Sequence, residues 1–241
     1  MEQNCSNKII SLHMMKCEDK CHNDSSCYHL QKNIIVNDTY NFDIEYWLKK
    51  GYIIYNSLCK PIKENDLRLL ELYKNYNITI SCLDVIISEI MQFKNQIQLS
   101  VYDSSDLTIY ADFQKLFLIK DLESYAICLY IITNNITKYG RIHFNIDQNT
   151  KNIKDYIHYI SKIFNFLKPS LFSLDSCFTS WVINGKCPYD DNNYIDITYD
   201  GTARKCPFNK NGNILSNDTT LDIFKFAASH EKCLYKELLI K

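Results

Sequence analysis

A chain of 241 residues, 46% of them hydrophobic, can bury one sizeable core, so one domain with a small appendage is the expected organisation. Its 27 Lys and Arg balance 28 Asp and Glu, which excludes a global basic field of the kind that draws a protein to nucleic acid. No window approaches the ~20 consecutive apolar residues of a membrane span and no apolar leader opens the chain, so the expectation is a soluble, cytoplasmic protein.

The first predicted element is a strand over the short apolar run from Lys8 to Met14. It enters a polar loop carrying Cys17, Cys21 and Cys27. A strand that ends in such a loop can aim three thiolates at one point. That set suits iron and sulfide, or zinc if His22 or His29 supplies a fourth ligand. Reduced cysteines on a polar surface loop are the third reading. Beyond the loop, Ile34 to Val36 reads as a brief extended piece and Phe42 to Lys50 as a helix ended near Gly51.

Tyr52 to Tyr55 has the pattern of a buried strand, and Glu64 to Tyr76 that of a helix with Leu67, Leu70 and Tyr73 on one face. Asn77 to Ser81 is a second strand of this kind, followed by a helix from Val85 to Phe93 in which Ile86, Ile90 and Phe93 share a face. Gln96 to Tyr102 alternates as a strand, Asp106 to Leu122 is predicted helical, and Ala126 to Ile132 and Arg141 to Ile146 are predicted strands. The strongest helical pattern runs from Thr150 to Leu167, with Ile153, Tyr156, Ile157, Ile160 and Phe164 on one stripe and Pro169 as its stop. Repeated strand-helix alternation predicts an α/β fold of parallel strands covered by helices, with ligand sites at the C-terminal strand ends. The three-cysteine loop lies at such an end.

From Ser170 the character changes: Cys177, Cys187, Cys206 and Cys233 arrive together with Gly185, Gly201 and Gly212. Tyr194 to Tyr199, Asp200-Gly201 and Thr202 to Arg204 read as a β-hairpin on an Asp-Gly turn, and Leu221 to about His230 as a closing helix. Eleven cysteines in a reducing compartment point to metal or redox chemistry more than to disulfides.

Strand, three-cysteine loop, strand-helix units and a C-terminal cysteine group together resemble the radical S-adenosylmethionine (radical SAM) enzymes that carry a SPASM or Twitch extension. The spacing Cys187-x13-Gly201-x4-Cys206 resembles the signature that opens that extension, and Asp200-Gly201 with Cys206-Pro207 resembles its hairpin. The resemblance covers most of the chain. It departs from the family pattern in the longer gap between Cys21 and Cys27, and in Leu58-Cys59-Lys60-Pro61, which keeps only the proline of a Gly-Gly-Glu-Pro segment.

The resemblance implies a partial (βα)6 TIM-like parallel barrel over residues 1-176 and a small cysteine-bearing hairpin and helix appendage over 177-241. It implies that Cys17, Cys21 and Cys27 hold a 4Fe-4S cluster with one open iron, at which S-adenosylmethionine is cleaved reductively to a 5'-deoxyadenosyl radical. Pro61, Ser100 and Asn145 stand where the family places groups near the cofactor, and an ordinary polar strand residue is the alternative for Ser100 and Asn145. Cys177, Cys187, Cys206 and Cys233 would hold an auxiliary cluster, with a structural all-thiolate zinc as the alternative. The implied partners are a peptide or protein substrate and an electron donor, with no nucleic acid and no membrane. The competing function is a non-catalytic barrel of the same fold that serves as a binding module. Cys5, Cys59, Cys82 and Cys128 read as buried thiols, and His13, His143 and His158 as structural histidines.

Overall fold

The computed structural model of the protein describes residues 8–13, 42–58, 61–134, 136–146, 152–163, 172–174, 176–189, 193–198, 200–206, 212–215, 223–226 and 233. Among them, ten strands form one sheet: β1 (Ile9–His13), β2 (Ile53–Leu58), β3 (Tyr76–Ser81), β4 (Ile97–Val101), β5 (Gln114–Ile119), β6 (Ile142–Ile146), β7 (Phe172–Leu174), β8 (Tyr194–Thr198), β9 (Thr202–Arg204) and β10 (Asn213–Ile214). Their spatial order is β10-β9-β8-β1-β2-β3-β4-β5-β6-β7. The eight strands from β8 through β1 to β7 are parallel, and β9 and β10 close that end antiparallel. The α/β class and the parallel sheet are as the sequence predicts. Among the described residues the parallel part has eight strands instead of six, because β7 and β8 extend it on either side.

Among the described residues eight α-helices accompany the sheet: α1 (Ile44–Lys49), α2 (Glu64–Leu72), α3 (Ile87–Ile90), α4 (Ser104–Ile109), α5 (Leu122–Thr133), α6 (Ile153–Ile163), α7 (Ser176–Asn184) and α8 (Ile223–Phe226). Aspartates set several of their starts. Asp43 accepts from the Tyr46 amide at 3.0 Å, and Asp103 and Asp121 do the same for α4 and α5 by accepting from Ser105 and Ser124. Gly51, at φ +85°, ends the turn after α1 in a left-handed conformation that suits glycine.

Two predicted elements exchange character between Asp106 and Ile132. The helix predicted over 106–122 is instead the short α4 followed by β5, and the strand predicted over 126–132 is the middle of α5. A short apolar run does not tell a strand from a buried helix. Here the cap decides: Asp121 opens a helix, and Tyr125, Cys128, Ile131 and Ile132 then bury one face of it. The predicted helix over 85–93 also breaks up, into extended Val85 and Ile86, the four-residue α3 and a 3-10 turn at Met91–Phe93. Ile90 and Phe93 are buried, whereas Ile86 is 61% exposed. Helix α2 stops at Leu72, and Tyr76 already belongs to β3.

The register sorts strand residues onto two faces, because neighbours in a parallel ladder point the same way. The helix-side face carries the rows Leu58–Ile80–Leu99 and Val101–Phe117–Phe144, all buried. Burying each such side chain stabilises the fold by about 1.5–3 kcal/mol. Polar residues on this side bond locally, and of the Asn56 amide only Oδ1 has no partner among the described residues. Asn56 donates to the Tyr76 hydroxyl at 2.9 Å, and that hydroxyl donates to Asp66 of α2 at 3.1 Å, tying α2 to β2 and β3. Fully buried Lys115 donates to the carbonyls of Tyr110, Ala111 and Phe113 and so closes the chain between α4 and β5.

The C-terminal hairpin is built into the same sheet. β8 pairs with β1 from Ile9↔Tyr194 to His13↔Thr198, and Gly201 turns the chain at φ +79° while Asp200 accepts from the Thr202 amide at 3.0 Å. Within the hairpin the Arg204 guanidinium meets the Asp196 carboxylate at 2.7 Å, both buried. Phe224 of α8 stacks on Tyr52 at 5.6 Å, with the Lys8 ammonium 4.8 Å from the Phe224 ring. Ile195, Ile197 and Ala203 share one core with Ile10, Leu12 and Ile54. No helix among the described residues is long and apolar enough to cross a membrane.

Candidate functional site

The sheet face away from the helices carries the polar side chains. One register row runs unbroken across five strands as Ser81–Ser100–Leu116–His143–Ser173. The row nearer the strand starts is Ser57–Thr79–Gln98–Gln114, and the row nearer the strand ends pairs Leu118 with Asn145. From β2 to β7 this face holds no Asp, Glu, Lys or Arg among the described strand residues. It is a neutral floor of hydroxyls and amides around two leucines.

Two of its atoms are without partners. Ser100 Oγ and Asn145 Oδ1 are both buried and make no hydrogen bond among the described residues. A buried polar atom left this way costs about 1–3 kcal/mol, and native proteins retain one where water or a ligand completes it. These two belong to the residues that the sequence singles out on β4 and β6, and the fold sets both toward the C-terminal strand ends of one face. They therefore fit a polar ligand lying over β5.

The sequence predicts a structural role for His143, and the structure sets it on the same floor. Its Nδ1 lies 2.8 Å from Ser173 Oγ, and burial lowers its pKa to about 4, so the imidazole is neutral at pH 7. Period-two alternation in Ile142-His143-Phe144-Asn145 would have shown that His143 and Asn145 share a face.

Strand β1 ends at His13, at the same strand ends; the three-cysteine stretch follows it in the sequence. Cys17, Cys21 and Cys27 in that stretch lie outside the described residues, as do Cys5 and Cys59, His22 and His29, and the predicted piece Ile34 to Val36. Pro61 is exposed, three residues beyond the end of β2. Cys82 directly follows β3. Burial, with the nearby Asp106 carboxylate, pushes its thiol up to about 12, and burial also raises Cys128 on α5, so both thiols stay protonated and behave as small apolar groups.

Of the C-terminal cysteines, Cys177 lies three residues beyond the end of parallel β7, at the same strand ends. Cys187 precedes β8 and Cys206 follows the antiparallel β9, which sets both toward the start of β8. Cys177 lies in the first turn of α7 and Cys187 beyond its last, a helix of this size being about 13 Å long. Cys177, Cys187 and Cys206 are buried, and Cys233, partly buried, accepts from the Trp181 indole at 3.2 Å. Among the described residues no group of three or more His, Cys, Asp or Glu side chains is gathered to hold a metal.

With this geometry in hand, comparison with known proteins defines the class of fold. No family model matches the sequence, and no curated protein matches it. Among solved structures, Streptococcus suis SuiB bound to S-adenosylmethionine superposes with a TM-score of 0.50 at 12% identity, covering 95% of this chain and 67% of that one. A second SuiB structure gives a TM-score of 0.50 at 11% identity, covering 94% of this chain and 66% of that one. The fold is radical-SAM-like, and the chain spans about two thirds of SuiB's length.

Proposed function

We propose that the protein is a radical SAM enzyme that cleaves S-adenosylmethionine reductively and abstracts hydrogen from a peptide or protein substrate. The observation that carries this reading is the pair of orphaned buried atoms, Ser100 Oγ and Asn145 Oδ1. They share a neutral face at the strand ends where β1 also ends, shortly before Cys17, Cys21 and Cys27 in the sequence, in a fold similar to one that holds S-adenosylmethionine in SuiB. In this reading Cys17, Cys21 and Cys27 hold a 4Fe-4S cluster, and residues 1-176 form the barrel around it. Bound there, the cluster supplies the electron for breaking a carbon-sulfur bond of the cofactor. The chain's own part is to satisfy the cofactor's polar groups with Ser100 and Asn145, to exclude water with the floor of Leu116 and Leu118, and to admit an electron donor and the substrate. Pro61 is proposed as the remaining cofactor contact of the loop after β2.

A second metal centre on Cys177, Cys187, Cys206 and Cys233, as a SPASM or Twitch-like module over 177-241, completes the reading. It rests on the thiol donor set and the spacing of Cys187, Gly201 and Cys206, and no step is derived through it. Anaerobic reconstitution with iron and sulfide tests the whole reading. The expected product is a coloured protein that forms 5'-deoxyadenosine from S-adenosylmethionine under reductant. A cluster-loaded protein that binds no S-adenosylmethionine would instead support the non-catalytic binding module, and a colourless zinc-containing protein would remove the radical reading.

A further inference from the structure

We infer that His143, oriented by Ser173, is a ligand-contacting residue of the site proposed for S-adenosylmethionine, where its free ring nitrogen hydrogen-bonds an uncharged polar group of the bound molecule. The inference rests on that proposed reading of the site. Ser100 and Asn145 lie two strands apart, about 10 Å by the usual strand spacing, so one ligand that completes both must cross β5. There it passes over Leu116 and Leu118. His143 borders that path on two sides: it shares Ser100's row with only Leu116 between them, and it precedes Asn145 by two residues on β6, about 6.6 Å along the strand.

The imidazole is held for this task. Ser173 Oγ engages Nδ1 at 2.8 Å, and no hydrogen bond among the described residues engages Nε2. A partner on one ring nitrogen selects the tautomer and fixes what the other can offer. The floor also specifies the chemistry of what it meets. With no Asp, Glu, Lys or Arg on this face from β2 to β7, a charged ligand group would be desolvated without a counter-charge. A neutral hydroxyl, amide or heterocycle meets hydroxyls, amides and a neutral imidazole instead, and burial keeps His143 in that neutral form.

The test uses the full chain, reconstituted anaerobically, with S-adenosylhomocysteine as a redox-inert probe, and reads binding by calorimetry. Loss of one hydrogen bond between neutral groups predicts that His143→Ala weakens binding about five- to tenfold, with His143→Gln recovering part of the loss and Ser173→Ala weakening it less. In the unaltered protein, addition of the probe is expected to shift the imidazole nitrogen NMR signals of His143. This second readout stands even if His143→Ala fails to fold. Unchanged affinity in His143→Ala, or unmoved His143 signals while the probe binds, would overturn the inference and leave the proposed function standing. Failure of the cluster-loaded wild type to bind the probe would overturn both.

Discussion

Ser100 is the residue at which stability and function are expected to pull in opposite directions. Its hydroxyl is buried without a partner, so the ligand-free fold carries the desolvation cost and a bound ligand relieves it. Ser100→Ala is therefore expected to leave the unfolding free energy unchanged or raise it by up to about 1 kcal/mol while weakening S-adenosylmethionine binding. Denaturant titration and calorimetry of the same sample measure both, and a variant that loses stability and keeps affinity would contradict the assignment. His143 carries a pH signature of its own. Burial lowers its folded pKa from 6.5 to about 4, so as pH falls the unfolded chain takes up the proton first. The neutral histidine's contribution to stability is complete above about pH 6.5, is lost progressively toward pH 4, and falls no further below. His143→Gln is expected to flatten that segment of a plot of unfolding free energy against pH.

The C-terminal hairpin is the element whose internal chemistry matters most to the sheet. Asp196 and Arg204 face one another across β8 and β9 at 2.7 Å with both side chains buried. Such a pair contributes little net stability over an apolar replacement, but removing one member leaves an uncompensated charge inside. Arg204→Ala is expected to lower the unfolding free energy by about 3–5 kcal/mol, and a joint replacement of both residues by apolar ones by much less. Denaturant unfolding of the single and double variants checks this, and equal losses in the two would mean that the charge pair is not the source. Helix α5 shows how an element's identity turns on one residue. Its 126–132 segment is apolar enough to pass for a strand, and Asp121, accepting from the Ser124 amide at 2.8 Å, commits it to a helix.

For the whole molecule, the consequence of this topology is mutual dependence of the two ends of the chain. β8 covers the edge of β1 along five register pairs, and Ile195, Ile197 and Phe224 join the core of Ile10, Leu12 and Ile54. Deleting residues 177–241 turns β1 into an exposed edge and strips part of its apolar cover, the combination that templates aggregation. The truncated chain is expected to be aggregated or insoluble in size-exclusion chromatography. A soluble monomer with unchanged circular dichroism would show that residues 1–176 hold their own core.

Local sequence by itself determined the strand-helix rhythm, the hairpin and its turn. Alternation and stripes are local properties, and Asp200-Gly201 is a turn wherever it falls between two extended runs. Ser100 and Asn145 are marked by the family resemblance and not by local pattern. What local sequence left undecided depended on neighbours distant in the chain. The apolar runs of β5 and α5 are alike in hydrophobicity; Asp121 caps the second locally, and packing then fixes their places, one between β4 and β6 and the other against its outer side. Lys115 gave no sign of full burial, because the three carbonyls that accept from it are gathered only when α4 turns back into β5. Alternation alone could put His143 on Asn145's face, but only register brings it into one row with Ser100, since Ser81, Ser100, Leu116, His143 and Ser173 are scattered over more than ninety positions and meet because parallel strands align them.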